Sequence, residues 1–272
     1  MNLVLAAEGP YGGDFSLPPA GEIFNPPALF EIAGTDISRV YIIVLVGVII
    51  SAGFMLAAFA NPKVVPGKLQ SAGESIIEFI RDGIATDIIG EEGRKFAPFL
   101  TGIFLFVFMN NIFEVIPFVN FPPSSRIGYP AMLAIVTLIT FVATGIKYQG
   151  LAYFKEVAFP PGVPKPVYLL LTPIEIVSTF ILRPLTLTVR LFANMVAGHI
   201  LLTIVFLATH AFFRIPGLVE EGSNLLGLPI GILTLLVSPL AVGFEMFVSF
   251  LQAYIFAILA AVYLAGAVEP AH

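Results

Sequence analysis

Two apolar blocks in the second half of the chain, about residues 167–213 and 229–266, are far too long for a single upright membrane crossing. At a helical rise of about 1.5 Å per residue the second would extend roughly 55 Å, against a hydrocarbon core of ~30 Å. Pro173 and Pro184 allow a kink in the first block, but the second has only Pro239, near its start. Two long, strongly tilted helices joined by a loop at 214–227 accommodate both. Three ordinary crossings precede them, about 38–60, 96–117 and 130–149, each near the ~20 residues that a helix needs to span the core. The expected fold is therefore an all-α polytopic membrane protein with about five embedded helices. Residues 36–272 form one membrane domain, behind an extramembrane tail at 1–35 rich in Gly, Pro and aromatics and without regular period.

Composition agrees. Of 272 residues 58% are hydrophobic and 11% charged, against about 25% charged in soluble domains. Mean hydropathy is +0.97. The net charge of -5 is spread over tails and loops, and no basic run points to nucleic acid. Cys is absent, which excludes disulfides, thiol nucleophiles and Cys-based metal sites. With no Trp, any interfacial belt falls to Tyr and Phe. The opening Met1-Asn2-Leu3-Val4-Leu5-Ala6-Ala7-Glu8 is too short an apolar run for a signal peptide and lacks a basic start, so an uncleaved tail is expected.

Lys63, Lys68, Arg81, Arg94, Lys95, Lys147, Lys155 and Lys165 fall on one side of the crossings, and only Arg39, Arg126 and Arg214 on the other. The positive-inside rule then puts the N-terminus outside and the C-terminus in the cytoplasm. Between the first two crossings, Leu69, Ala72, Ile76, Ile77, Ile80, Ile84 and Ile88 recur at helical spacing, with Glu74, Glu78, Arg81, Asp82 and Asp87 on the other side. This pattern predicts an interfacial amphipathic helix over about 69–89, the alternative being a packing helix of a small soluble subdomain. No internal repeat supports an inverted-repeat transporter.

Six ionisable residues lie inside apolar blocks: Glu114, Glu175, Arg183, Arg190, His199 and Glu245. Glu114, Glu175 and Arg183 stand near helix ends, where solvation or snorkelling competes with a functional account. Arg190, His199 and Glu245 are deeper. Arg190 has no carboxylate one turn away, where Thr186, Leu187, Ala193 and Asn194 stand. An arginine stays protonated and costs about 2.5–3.5 kcal/mol at bilayer depth on insertion scales. At about 100° per residue Thr186, Arg190 and Asn194 share one helix face, while His199 points to the opposite side. On the last helix Ser238, Glu245, Ser249 and Gln252 make a polar stripe, either a helix–helix seam or a proton conduit. Ala197, Gly198, Ala241 and Gly243 would let the two helices approach closely, so the stripe faces either Arg190 or His199. No zinc-protease, Walker, dinucleotide or nucleophile-elbow motif is present.

The run Arg183-Pro184-Leu185-Thr186-Leu187-Thr188-Val189-Arg190-Leu191-Phe192-Ala193-Asn194-Met195-Val196-Ala197-Gly198-His199 resembles the signature of the a subunit of F-type ATP synthases. Met109-Asn110-Asn111-Ile112-Phe113-Glu114-Val115-Ile116-Pro117 and Leu251-Gln252-Ala253-Tyr254-Ile255-Phe256 resemble two further family segments, in the same order. The resemblance covers about 36–268. It implies the stator half of a proton-driven rotary motor in a bacterial-type plasma membrane, with no catalytic site of its own and no cofactor. It also implies a rotating ring of c subunits and the peripheral-stalk b subunits as partners. Arg190 would face the ring carboxylates and block leakage between two offset half-channels, with Asn194 and Gln252 beside it. His199 and Glu245 would line the outer half-channel with Ser249 on the same path, Glu114 lying near its mouth and Glu175 on the inner path. The His199 and Glu245 positions carry the opposite types in some family members, a swap that preserves a proton-passing pair. Two other readings stand beside this one: a sodium-coupled version of the same subunit, which a titratable imidazole disfavours, and a secondary transporter using Arg190 as an anion site.

Overall fold

The computed structural model describes residues 6–8, 14–16, 28–32, 35–117, 119–159, 164–212 and 227–268. The membrane domain is all-α. The tail differs from the irregular segment expected there, because it contains two short antiparallel ribbons. Strand β1 (Ala6–Glu8) pairs with β2 (Asp14–Ser16), and β3 (Ala28–Ile32) with β4 (Thr35–Ser38). Strand pairing satisfies backbone groups non-locally, so a Gly- and Pro-rich composition conceals it. The rest of the tail, and residues 214–226 of the expected loop, lie outside the described residues.

Helix α1 (Arg39–Phe59) is 21 residues long, about 31 Å at the standard rise, enough to cross the core. Its buried residues are Val40, Gly47, Ser51 and Ala58, a thin seam, while Leu56 is 73% exposed and Ile49 60%. A helix apolar on all sides with so little of it buried is built for a hydrocarbon solvent. The amphipathic stretch is helical from α2 (Lys68–Ile80) through a π segment (Arg81–Thr86) to Ile89. Its Gly73 lies on the end of α1, since a Cβ there would stand 3.0 Å from Ala58 Cβ.

Helix α3 (Ala97–Ile112) is shorter than the expected crossing to 117. The chain leaves the helix in turns, with Glu114 N–H donating to Asn111 O and Val115 N–H to Ile112 O. Pro117 keeps the helix from resuming beyond this turn, because it lacks an N–H and biases Ile116 away from helical geometry. Helix α4 (Gly128–Gln149) is followed, after Gly150 at φ 65°, by α5 (Ala152–Ala158), a short helix not foreseen from the sequence.

The first long block forms α6 (Tyr168–Val177), a π segment (Ser178–Leu182) and α7 (Arg183–Phe212) without a break. The π segment sits just ahead of Pro184, which cannot donate to the carbonyl four residues back; the wider turn absorbs that mismatch. Helix α8 (Gly227–Val268) has 42 residues, about 63 Å, so only an oblique path keeps it within a bilayer. It packs against α7, α3 and α4. Ala253, Ala257, Ala260, Ala261 and Ala267 are all buried along it. Small side chains let backbones approach, which drives association where lipid supplies no hydrophobic force.

One close approach is testable. A Cβ on Gly145 of α4 would stand 2.5 Å from the ring of Tyr153 in α5, a residue that is itself buried. Gly145→Ala should therefore destabilise the α4–α5 corner by about 1–3 kcal/mol, the usual cost of overpacking. The check is the thermal-unfolding midpoint of the detergent-solubilised chain, expected to fall.

Candidate functional site

Helix α7 has two distinct sides. Leu187, Leu191, Met195 and Leu202 are buried at helical spacing, and Gly198 and His199 belong to the same packed side. Thr186, Val189, Arg190, Ala193 and Ala197 are exposed, with Asn194 half-buried between the two sides. The arginine thus sits on an outer surface flanked by small residues. Among the described residues no carboxylate lies within ion-pair distance of it.

On the packed side three elements bring their acids and imidazole together. Glu114 stands in the turn after α3 and is 0% exposed, so the solvated alternative for this residue does not hold. His199 on α7 is 5% exposed and Glu245 on α8 is 1% exposed. His199 Nδ1 lies 3.8 Å from Glu114 Oε1, a charge-pair distance rather than a hydrogen bond. The Glu245 carboxylate lies directly on the backbone of Gly198, where a Cβ would come within 2.2 Å of Oε2. Glu245 therefore meets the packed side of α7, next to His199 in sequence, and not the exposed side that carries Arg190.

The stripe continues in both directions from Glu245. Ser249 and Gln252 are buried on later turns of α8, and Ser238 lies 3.4 Å from Thr209 on α7. Neither oxygen of Glu114, nor Glu245 Oε2, nor Ser249 Oγ has a hydrogen-bond partner among the described residues. Buried polar atoms are costly unless a hydrogen bond, to protein or to water, satisfies them.

The structure adds residues that sequence reasoning passed over. Phe121, fully buried in the segment between α3 and α4, sets its ring at 72° to the His199 ring, with centroids 5.8 Å apart. The guanidinium carbon of Arg39 lies 5.4 Å from the centroid of the same Phe121 ring. Asn111 accepts a hydrogen bond from Ser124 at 2.8 Å, holding that segment on the end of α3. The Asn110-Asn111 pair inside an apolar helix was a usable signal, whereas Phe121 and Ser124 sit in a loop without periodicity.

Two of the expected residues stand apart from this cluster. Glu175 is half-buried on α6. It is about 36 Å along the helical path from His199, with Arg190 between them, about 13 Å from the histidine and 22 Å from the glutamate. Arg183, half-buried, has its guanidinium carbon 5.2 Å from the Tyr263 ring centroid, a cation–π contact.

Gly198→Ala places its methyl in the space of the Glu245 carboxylate. It should separate α7 from α8 locally and move Glu245 from its seat, while Gly243→Ala, where a Cβ meets nothing within 4 Å, should leave the pair undisturbed. Cysteine cross-linking between the Thr209 and Ser238 positions reports the spacing, with slower linking expected in the Gly198 variant alone.

Comparison with known proteins places the chain in a family. The profile of the "ATP synthase A chain" family matches residues 40–265. The ATP synthase subunit a of Rhodococcus erythropolis is 41% identical over 253 residues, covering 92% of this chain and 90% of its own length. That of Frankia alni is 38% identical, covering 97% of this chain and 88% of its own. That of Streptomyces lividans is 39% identical, covering 85% and 79%. With a family match over nearly all of the helical domain and relatives of this similarity over most of its length, the chain belongs to the ATP synthase A chain family.

Proposed function

We propose that this chain is the proton-conducting stator in the membrane sector of a rotary ATP synthase, carrying protons past a ring of c subunits by two offset half-channels. The observation that carries this reading is the split of α7: an arginine without a carboxylate partner among the described residues on the outer side, and a buried acid–imidazole cluster on the packed side.

Arg190 has its counter-charge on another chain. Each ring carboxylate arriving beside it is held ionised by the guanidinium, because a nearby opposite charge favours the charged form. The same fixed positive charge repels a proton attempting to pass straight from one half-channel to the other. Asn194 and Gln252 orient the encounter. Protons from the outer side pass by Glu114, His199 and Glu245, and Ser249 continues the path toward the ring. They leave on the inner side by way of Glu175. Each charge crossing gains ~2.3 kcal/mol per 100 mV, and this drive turns the rotor. The chain performs no bond-making chemistry itself; that falls to the catalytic part of the complex, reached mechanically through the ring and held against rotation by the peripheral-stalk b subunits.

The membrane is a bacterial-type plasma membrane with the N-terminus outside and the C-terminus in the cytoplasm, as the Lys and Arg bias requires. A titratable His199 on the path favours protons over sodium. The rival reading, a transporter with an anion site at Arg190, needs a helix break beside the arginine, and Arg183–Phe212 is one unbroken α-helix.

In the assembled complex Arg190→Ala should abolish ATP-driven proton pumping while raising passive proton leak through the membrane sector under an imposed gradient. Pumping at the normal rate would remove the arginine from the mechanism. Glu245→Gln should slow proton transport by about 10²-fold or more, the usual scale for losing a proton-transfer group, with assembly intact. Transport within twofold of the parent would take Glu245 off the path.

A further inference from the structure

A groove of about 420 Å³ opens between the start of α3 and the last turns of α4, away from the polar cluster. That is within the 300–1,000 Å³ range of ligand pockets. Its chemistry changes along its length. Phe96, Ile139 and Ala143 make an apolar wall. The hydroxyls of Thr140 and Thr144 donate back to the carbonyls of Val136 and Thr140, at 2.8 Å each, and so add no free donor to the wall. Ile139, Ala143 and Lys147 recur every four residues, so the wall runs about 12 Å along one face before it reaches an ammonium group. Lys95 lines the same groove from the turn before α3.

Charge at this end does not cancel. Lys95 is paired with Glu92, which also accepts a hydrogen bond from the Tyr148 hydroxyl at 2.9 Å. Hydrogen bonds from Lys95 and then Tyr148 hold the Glu92 carboxyl below the usual carboxylate range, so it stays ionised. Arg94 is paired with Glu91 at 3.4 Å. Lys147 is exposed and has no ion-pair partner among the described residues. Lys95 and Lys147 against Glu92 leave one positive charge unbalanced at the edge of an apolar wall.

We infer that this groove holds an anionic glycerophospholipid, one acyl chain lying along Phe96, Ile139 and Ala143 and its phosphate held by Lys147 and Lys95. One phosphodiester charge balances the one unpaired ammonium, and basic pockets between membrane helices on the cytoplasmic side suit anionic headgroups. An apolar helix of another subunit is the poorer occupant, because it would bury Lys147 without a counter-charge. The inference rests on the proposed membrane orientation, with this end of α4 at the cytoplasmic surface, and stands or falls independently of the half-channels and of Arg190.

The test uses the intact complex, reconstituted in nanodiscs containing equal amounts of phosphatidylglycerol and phosphatidylcholine with identical acyl chains. After gentle extraction, retained lipids are counted by native mass spectrometry. Phosphatidylglycerol should be retained in preference to phosphatidylcholine. Lys147→Gln should weaken that retention roughly five-fold, the value of one lysine near an anionic headgroup. Ala143→Phe, which fills the apolar wall and leaves both lysines in place, should weaken it as well, and Lys63→Gln, at the same membrane surface, should not. Equal retention of the two lipids, or retention unchanged in Lys147→Gln, would overturn the proposal. Loss in Lys147→Gln without loss in Ala143→Phe would also overturn it, since a free phosphate or diffuse surface charge would then explain the effect. So would density for a partner subunit's helix in the groove.

Discussion

The contact between the Glu245 carboxylate and the backbone of Gly198 is the constraint on which the arrangement of this molecule turns. Glycine at 198 leaves room for an acid to lie flat on the neighbouring helix. A second contact, Thr209 with Ser238, shows that one number falls as the other rises, so α7 and α8 run antiparallel. With that register set, α7 has no rotational freedom left. Its packed side must present Leu191, Met195 and His199 to the interior, and Arg190 must face outward.

Lipid explains why the register is set by small and polar groups. Between apolar helices in a bilayer there is no gain from hiding hydrocarbon, so close approach and polar contacts carry the specificity. The buried alanines of α8 supply the first, and the Glu114, His199 and Glu245 cluster with the Asn111–Ser124 bond supplies the second. Three ionisable groups buried together are costly unless hydrogen bonds, opposite charges or shared protons offset their desolvation. Exposed Arg190 and buried His199 lie on different sides of a single helix, about 13 Å apart along it.

The irregular places are as informative as the regular ones. The π segments fall in the amphipathic stretch and just before Pro184, and α3 stops at Ile112 so that Glu114 lies in a turn. Released from helical geometry, that turn carries its acid to His199, and the following segment lays Phe121 against the imidazole. A continuous helix to Pro117 would have fixed the direction of Glu114 by its own periodicity.

Much of this was legible from residues alone. Apolar length defined the embedded helices, and the 3.6-residue period already set Arg190 and His199 on opposite sides of their helix. The polar stripe on the last helix was legible too, because it repeats with helical spacing. What periodicity could not supply was the partner across a gap: whether that stripe met arginine or histidine, and whether Glu114 was wet or buried. Those answers depend on the depth and rotation of one helix against another, set by steric fit at Gly198 and by a turn that has no period. Local sequence determines which faces a helix possesses; only packing among distant segments decides what each face touches.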